Sequence, residues 1–265
     1  MLKQIDKLTP KDVASICDHT FLYTPEFYKG KGFADPIDEC QTQFYSFLEE
    51  TRELPFQPYA ICVNAEKVNA AKYYLKTHPS LDMKIAAVAG FPDGGMYSTD
   101  FKINEARQAI HEGADEIDFV LNYEMLKRRH VPIVRDELSK MVKLCKDYAV
   151  KSKLILENSR LNPKLIKEAC LLARDAGFDF IKTATGMIKE GGAKVEDLQI
   201  MVENFLGAIK AAGGLNPKNY KQILVPMSRR TDGQIDLDPM KQRLGESSLI
   251  IKMIAGSDGS NSEGY

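Results

Sequence analysis

The sequence predicts a single-domain (β/α)8 barrel. Short apolar runs alternate with longer amphipathic runs along almost all of its 265 residues, which is the order of strands and helices in an α/β fold. Several runs, such as Ile-Ala-Ala-Val-Ala at 85–89, are apolar at every position, as parallel strands are when helices cover both faces of their sheet. No change of composition divides the chain, so we expect one barrel over residues 1–255.

Eight strand candidates follow one another, with helical patterns between them. The pattern over Pro163–Ala176 is typical, because its apolar residues recur at helical spacing, its proline suits a first helical turn and Gly177 suits the end. An open, doubly wound sheet is the alternative that this pattern alone leaves open. The strand candidates lie at 15–22, 59–64, 84–91, 116–122, 153–158, 179–185 and 208–214, with a weaker eighth near 241–245.

The last ten residues, 256–265, form a separate segment. They are small, polar and rich in glycine, which predicts a flexible C-terminal tail. Tyr265 is the one large side chain in this tail.

The charge and cysteine content exclude several classes of protein. Lys and Arg number 36 and Asp and Glu 37, so no net field concentrates nucleic acid or an acidic membrane. No run approaches the ~20 apolar residues that cross a bilayer, and the N-terminus lacks the apolar stretch of a signal peptide. The five cysteines are widely spaced and contain no CxxC pair, which predicts neither a disulfide framework nor a zinc site. We therefore expect a cytoplasmic protein without a nucleic-acid or membrane partner.

Five ionisable residues lie within or just beyond otherwise apolar strands. A charge in such a place must be paired or functional, because its desolvation costs several kcal/mol. In a barrel of this type the functional residues lie at the C-terminal ends of the strands. The five are Asp18, Asp118, Glu157, Lys182 and Lys210.

The two lysines predict a nucleophile. Lys182 lies in Phe-Ile-Lys-Thr-Ala-Thr-Gly at 180–186, and Lys210 lies on the next predicted strand at the same depth relative to its glycine. Burial and a neighbouring cation both lower the pKa of a lysine, and the uncharged amine can attack a carbonyl to form an imine. The alternative is that both are surface lysines at strand ends.

The three acidic residues, Asp18, Asp118 and Glu157, are interpreted as partners of other residues in the site. Asp118 could pair with either lysine and move protons, or it could belong to a buried structural ion pair without turnover. Asp18 is interpreted as ordering the site, and Glu157 as a salt-bridge partner in the barrel interior.

Three turns late in the chain predict a phosphate site. Glycine lets backbone N–H groups approach an anion, and serines that open a helix add its positive dipole end. Phosphate sites in such barrels usually follow strands 7 and 8. Ordinary helix capping and tight turns are the alternative for each turn taken singly. The residues are Thr185 and Gly186, then Gly213 and Gly214, and finally Gly245, Ser247 and Ser248.

Seven motifs, in order along the chain, resemble the deoxyribose-phosphate aldolase family. The resemblance runs from about residue 11 to the end, and its tail ending in Tyr265 is similar to that of some members. The motifs are Asp-His-Thr-Phe-Leu at 18–22, Ala-Ile-Cys-Val at 60–63, Ala-Val-Ala-Gly-Phe-Pro-Asp-Gly at 87–94, Glu-Ala-Arg at 105–107 followed by Gly-Ala-Asp-Glu-Ile-Asp at 113–118, Phe-Ile-Lys-Thr-Ala-Thr-Gly at 180–186, Lys-Ala-Ala-Gly-Gly at 210–214 and Arg-Leu-Gly-Glu-Ser-Ser at 243–248.

This resemblance implies a reversible cleavage of 2-deoxy-D-ribose 5-phosphate to D-glyceraldehyde 3-phosphate and acetaldehyde, without metal or organic cofactor, by a barrel that is often dimeric. It gives Lys182 the imine-forming place, Lys210 the place of the lysine that lowers its pKa, and Asp118 the place of the proton-shuttling aspartate. Tyr265 takes the place of a tail tyrosine that folds over the site. Asp18 and Cys62 join the residues of the three turns as implied substrate-binding residues.

Two departures from the family pattern remove cations near the expected phosphate. Met187 stands where members commonly have lysine, and Asn216 stands where they often have arginine. Lys189 and Lys194, in the loop 187–194, could compensate. The departures favour one alternative, a class I aldolase with a different or non-phosphorylated acceptor aldehyde. A separate alternative is a catalytically silent barrel that binds sugar phosphates.

Overall fold

Eight parallel strands form a closed barrel in the computed structural model, which describes residues 1–188 and 191–256. The first seven barrel strands pair with their neighbours in chain order, and the eighth closes the ring between the seventh and the first. The predicted (β/α)8 barrel is therefore confirmed, and the open-sheet alternative is wrong. The barrel strands are β2 (Cys17–Phe21), β3 (Ala60–Asn64), β4 (Lys84–Ala89), β5 (Glu116–Val120), β6 (Lys151–Ile155), β7 (Phe180–Lys182), β8 (Ala208–Ala212) and β10 (Gln242–Glu246).

Helices pack around the barrel, and their ends follow local sequence signals. Helix α8 spans Pro163–Ala176 as predicted: the side chain of Asn162 accepts a hydrogen bond from the Leu165 amide, and Gly177 ends the helix with a φ of 89°. The helices of the described chain are α1 (Pro10–Ala14), α2 (Pro25–Gly30), α3 (Pro36–Glu53), α4 (Val68–Thr77), α5 (Thr99–Glu112), α6 (Tyr123–Lys127), α7 (Val131–Asp147), α8 (Pro163–Ala176), α9 (Val195–Asn204), α10 (Tyr220–Met227) and α11 (Leu249–Ile254).

A small antiparallel sheet lies outside the barrel and was not predicted. It pairs β1 (Leu2–Gln4) with β9 (Gln234–Asp236), and the N-terminal ammonium donates a hydrogen bond to Asp236 at 2.9 Å. Each strand has only three residues, which is too few for a period-two pattern to stand out in the sequence.

The barrel strands present two different faces. Alternate residues such as Ile61, Val63 and Ile117 join the large apolar core that packs against the helices. The residues between them therefore face the barrel interior, because successive side chains of a strand point to opposite sides. Part of this interior is apolar, with Cys62 and Val88 in a small separate cluster. The rest of the interior carries charges, and it contains the candidate site.

No helix within residues 1–188 and 191–256 has the length and apolar character required to cross a bilayer. Of the predicted tail, residues 257–265 lie outside the described residues, and Tyr265 lies there with them.

Candidate active site

Lys182 and Lys210 meet inside the barrel. They are paired in register on β7 and β8, and Thr183 joins these strands through its hydroxyl, which donates to the Ala212 carbonyl and accepts from the Ala212 amide, both at 2.9 Å. Lys182 is 2% exposed and Lys210 is fully buried, so the interpretation of both as surface lysines is wrong. Their amines lie close together, because the Nζ atoms are 3.2 and 2.9 Å from the same Oδ2 atom of Asp118.

The lysine pair belongs to a buried network with more cations than carboxylates. Asp118 holds Lys153 at 2.6 Å through its other oxygen, while Asp18 holds Lys210 at 2.6 Å and Arg243 at 2.7 Å. Glu116 completes the network with contacts to Lys153 at 2.6 Å and Arg243 at 2.8 Å. Among the described residues its cations are Lys153, Lys182, Lys210 and Arg243, and its carboxylates are Asp18, Glu116 and Asp118.

Lys182 is the member of this network that loses a proton most readily. It contacts a single carboxylate, at 3.2 Å, whereas Lys153 and Lys210 each contact two at 2.9 Å or less. Deprotonation of one cation balances the charges of the network, and an unbalanced buried charge is costly. The loss of the proton from Lys182 therefore leaves the other ion pairs intact.

The shifts in pKa agree that Lys182 holds its proton less firmly than Lys210. Burial lowers the pKa of Lys182, and the charge of Lys210 lowers it further against the opposing effect of Asp118. Burial also acts to lower the pKa of Lys210, but Asp118 and Asp18 outweigh it and raise that pKa well above the usual range. Burial acts to raise the pKa of Asp118, yet the three lysines around it hold this pKa well below its ordinary value. Chemically, the arrangement offers an amine of lowered pKa beside a permanent cation and a permanent carboxylate.

A cavity of about 220 Å³ opens above Lys182, at the C-terminal ends of β7, β8 and β10. All seven residues of the predicted phosphate turns line it together with Lys182. Asp18 and Cys62 do not line it. Asp18 lies below in the ion-pair network, and Cys62 is fully buried in the interior, where burial raises the pKa of its thiol. The seven turn residues are Thr185, Gly186, Gly213, Gly214, Gly245, Ser247 and Ser248.

Two glycine-containing loops touch each other at one wall of the cavity. The Gly213 carbonyl accepts a hydrogen bond from the Ala193 amide at 3.1 Å, and Gly213 has a φ of +88°. The next carbonyl, that of Gly214, accepts from the side-chain amides of Asn216 and Asn219 at 3.1 and 2.8 Å. The loop after β8 is therefore held in place before any ligand binds.

Replacement of Gly213 by alanine is expected to destabilise the protein more than replacement of Gly214. Both positions have a positive φ, which costs an L-residue about 1–2 kcal/mol. A Cβ at position 213 would in addition lie 2.7 Å from the Cα of Gly192, whereas one at position 214 meets nothing within 4 Å. Urea denaturation of Gly213→Ala and Gly214→Ala measures the difference. Equal losses of unfolding free energy would mean that the loop after β7, which contains Gly192, can move away from the added Cβ at no energetic cost.

Gly245 and Glu157 help to position other residues of the site. A Cβ at Gly245 would lie 2.8 Å from Cε of Lys210, so glycine leaves room for that side chain. Glu157, interpreted from the sequence as a salt-bridge partner, instead accepts hydrogen bonds from the amide and hydroxyl of Thr185 at 2.9 and 2.6 Å. Within the described residues it makes no ion pair, and that prediction is wrong. Glu157 thereby holds the start of the loop after β7.

Several residues of the site were not predicted from the sequence. Glu116, Lys153 and Arg243 are charged residues within predicted strands. Glu116 and Lys153 lie two positions from other inward-facing residues, and Arg243 lies in the weak eighth strand. This placement was the signal that the sequence offered. Thr20 lines the cavity just after Asp18. Lys252 also lines it, from helix α11, and its spacing of four residues from Ser248 is a signal that both share one helical face.

Of the two cations expected to replace those missing at 187 and 216, the one that the structure describes is not at the cavity. Lys194 is exposed at the start of α9 and is not among the lining residues, and Lys189 lies outside the described residues. Met187 is 40% exposed and does not line the cavity, while Asn216 does. In the part of the chain that the structure describes, no group of three His, Cys, Asp or Glu side chains is arranged to hold a metal ion.

Comparisons with known proteins give a consistent result. The sequence profile described as DeoC/LacD family aldolase matches residues 17–226, so β10 and α11 lie beyond the matched part. A deoxyribose-phosphate aldolase of Thermococcus kodakarensis is 40% identical over 196 residues, which cover 71% of this chain and 85% of the relative. One of Caldicellulosiruptor saccharolyticus is 38% identical over 222 residues, 82% of this chain and 90% of the relative.

Solved structures resemble the barrel over nearly its whole length. A crystal structure of a protein from Coccidioides immitis superimposes with a TM-score of 0.69 at 26% identity and covers 96% of this chain and 90% of its own. A tetrameric deoxyribose phosphate aldolase from Aeropyrum pernix superimposes with a TM-score of 0.66, covers 95% of each chain and is 22% identical, which bears on the fold alone.

Proposed function

The chain belongs to the DeoC/LacD family of aldolases, and on that premise we propose that it reversibly cleaves 2-deoxy-D-ribose 5-phosphate to D-glyceraldehyde 3-phosphate and acetaldehyde through a Schiff base on Lys182. The observation that carries the proposal is the position of Lys182, buried beside Lys210 at the base of a cavity with glycine-rich walls. Relatives named deoxyribose-phosphate aldolase supply the substrate class.

The reaction begins when the uncharged amine of Lys182 attacks the aldehyde carbon of the open-chain sugar. Loss of water from the carbinolamine gives an iminium ion, which accepts the electron pair of the C2–C3 bond as that bond breaks. The proton of the C3 hydroxyl leaves at the same time, so C3 becomes the aldehyde of the phosphorylated product. The enamine left on Lys182 is then protonated at C2 and hydrolysed to acetaldehyde.

Asp118 is proposed to move these protons together with water. Its Oδ2 atom lies 3.2 Å from the Lys182 nitrogen, within reach of protons exchanged at the carbinolamine. The lowered pKa of Asp118 means that it holds a proton only briefly and passes it on. Lys210 stays charged throughout and disfavours the ammonium form of Lys182.

The remaining assignments of the proposal are the tail, the assembly and the compartment. Tyr265, outside the described residues, is proposed to close over the cavity and assist the proton transfer at C2. We assign a homodimer, which light scattering measures directly, and a cytoplasmic location, in keeping with five cysteines that are all free and buried.

Trapping with acetaldehyde and borohydride tests the proposal. Reduction of the imine is expected to leave a two-carbon adduct on the peptide that contains Lys182, detectable by mass spectrometry. The exposed Lys140 serves as an internal control, because its ion pair with Asp136 raises its pKa and its adduct should be far less abundant than that at Lys182. A protein whose mass does not change would instead be a catalytically silent sugar-phosphate-binding barrel.

A second candidate function is a class I aldolase with a non-phosphorylated acceptor. The uncharged residues Met187 and Asn216, where the family pattern has cations, favour it. Such an enzyme would form the same adduct but would cleave 2-deoxy-D-ribose at least as well as its 5-phosphate.

A further inference from the structure

We propose that Lys252 binds the anionic end of the substrate in this chain and sets its preference for phosphorylated sugars. The inference rests on the proposed function and deepens it. Among the described residues that line the cavity, the side-chain cations are Lys182 and Lys252. Lys182 is assigned to the chemistry, so Lys252 is the cation left to recognise the rest of the substrate.

The position of Lys252 suits this role. It lies on α11, the helix that follows β10, and its amide donates to the carbonyl of Ser248 at 2.9 Å, so it stands one helical turn beyond that serine. Ser247 and Ser248 line the same cavity, as do the glycines of the loop after β8. Lys182 enters from the end of β7 and Lys252 from α11, so the cavity has a reacting amine and a second cation on different walls.

Three other charged residues near the cavity have buried partners of their own. Lys210 and Arg243 are buried in ion pairs with Asp18 below the cavity. Glu246 lines the cavity, but its side chain is fully buried and both of its oxygens are engaged, one with the His19 ring at 2.6 Å and the other with the Leu249 amide at 2.5 Å. Lys252 is therefore the cation that α11 contributes to the lining of the cavity.

The ligand class follows from the chemistry of the wall. Backbone amides of glycine loops and serine hydroxyls donate several hydrogen bonds to one anion, and a lysine on a flexible stem supplies a compact charge. Partly buried as it is, Lys252 interacts with an anion more strongly than a fully exposed lysine does. A cavity of about 220 Å³ admits a small phosphorylated aldehyde.

The test compares 2-deoxy-D-ribose 5-phosphate with 2-deoxy-D-ribose in Lys252→Met, Lys252→Arg and the parent. Removal of the charge is expected to lower kcat/KM for the phosphorylated sugar by about tenfold to a hundredfold, mainly through KM, because one charge-assisted hydrogen bond is lost. Turnover of the unphosphorylated sugar should stay nearly unchanged, and arginine should restore part of the loss. Inorganic phosphate should also become a weaker competitive inhibitor of Lys252→Met.

The controls separate this inference from the proposed function. Lys140→Met removes a charge from the exposed surface of α7, where Lys140 pairs with Asp136, and should leave both substrates unaffected. Lys252→Met should still form the acetaldehyde adduct at Lys182, because trapping needs no phosphate. Equal losses for the two sugars, or no loss for either, would overturn the role of Lys252, whereas a missing adduct in the parent would overturn the proposed function instead.

Discussion

Lys182→Met is expected to lower turnover of 2-deoxy-D-ribose 5-phosphate by on the order of 10⁴-fold or more and to abolish the acetaldehyde adduct. Methionine nearly preserves the volume of the side chain but has no amine to attack a carbonyl. No other described lysine lines the cavity except Lys252, which lies on a different wall. Steady-state kinetics and borohydride trapping measure the two effects.

The same substitution should leave the fold intact, which separates a catalytic role from a structural one. Removing one partner of a buried ion pair typically costs about 3–5 kcal/mol, because the other charge is left unpaired. Here Asp118 keeps Lys153 and Lys210, and the network loses its excess cation. We therefore expect urea denaturation to show no loss of that size.

Lys151→Met is the matched control for Lys182→Met. Lys151 also lies on a barrel strand and pairs with Asp179 at 2.8 Å, but it is partly exposed and lies away from the cavity. Its loss should leave turnover nearly unchanged. Substantial residual turnover or a surviving adduct in Lys182→Met would show that a different amine forms the imine.

The barrel could be predicted from the sequence because its strands are covered on both sides. Runs such as the one at 84–89 are apolar at nearly every position, whereas strands with one face in solvent commonly alternate apolar and polar residues. Helix α8 was predicted to the residue, since Pro163 and Gly177 mark its two ends. The weak eighth strand was harder to recognise, because Gln242, Arg243 and Glu246 make it polar although all of them are buried.

The partners of each charge could not be predicted, because they depend on register and on closure of the ring. Arg243 meets Glu116, 127 residues earlier, only because both point into a closed barrel. Asp118 and Lys153 lie side by side through the pairing of β5 with β6, which the separate strand patterns do not specify. Lys252 could not be predicted for a different reason: it lies in the helix after the eighth strand and not at a strand end.

Lys210→Met is expected to raise the pH at which the enzyme becomes active and to lower turnover at pH 7 by about 10²-fold or more. In the parent, Lys210 helps to lower the pKa of Lys182, and the proposed mechanism uses the uncharged amine of Lys182. Without Lys210 the network has as many cations as carboxylates, so a charged Lys182 is needed for balance. Asp118 then stabilises the ammonium, the pKa of Lys182 rises, and a higher pH is required to remove its proton.

Lys102→Met is the control for this shift of the pH profile, because it removes a buried lysine outside the site. Lys102 is another fully buried lysine, paired with Glu137 at 2.9 Å outside the site. Its loss should reduce stability without moving the pH profile, because the charge near Lys182 is unchanged. If Lys210→Met loses activity equally at all pH values, Lys210 only supports the structure. Partial recovery at alkaline pH, seen in Lys210→Met alone, is the outcome expected when one ammonium keeps its neighbour uncharged.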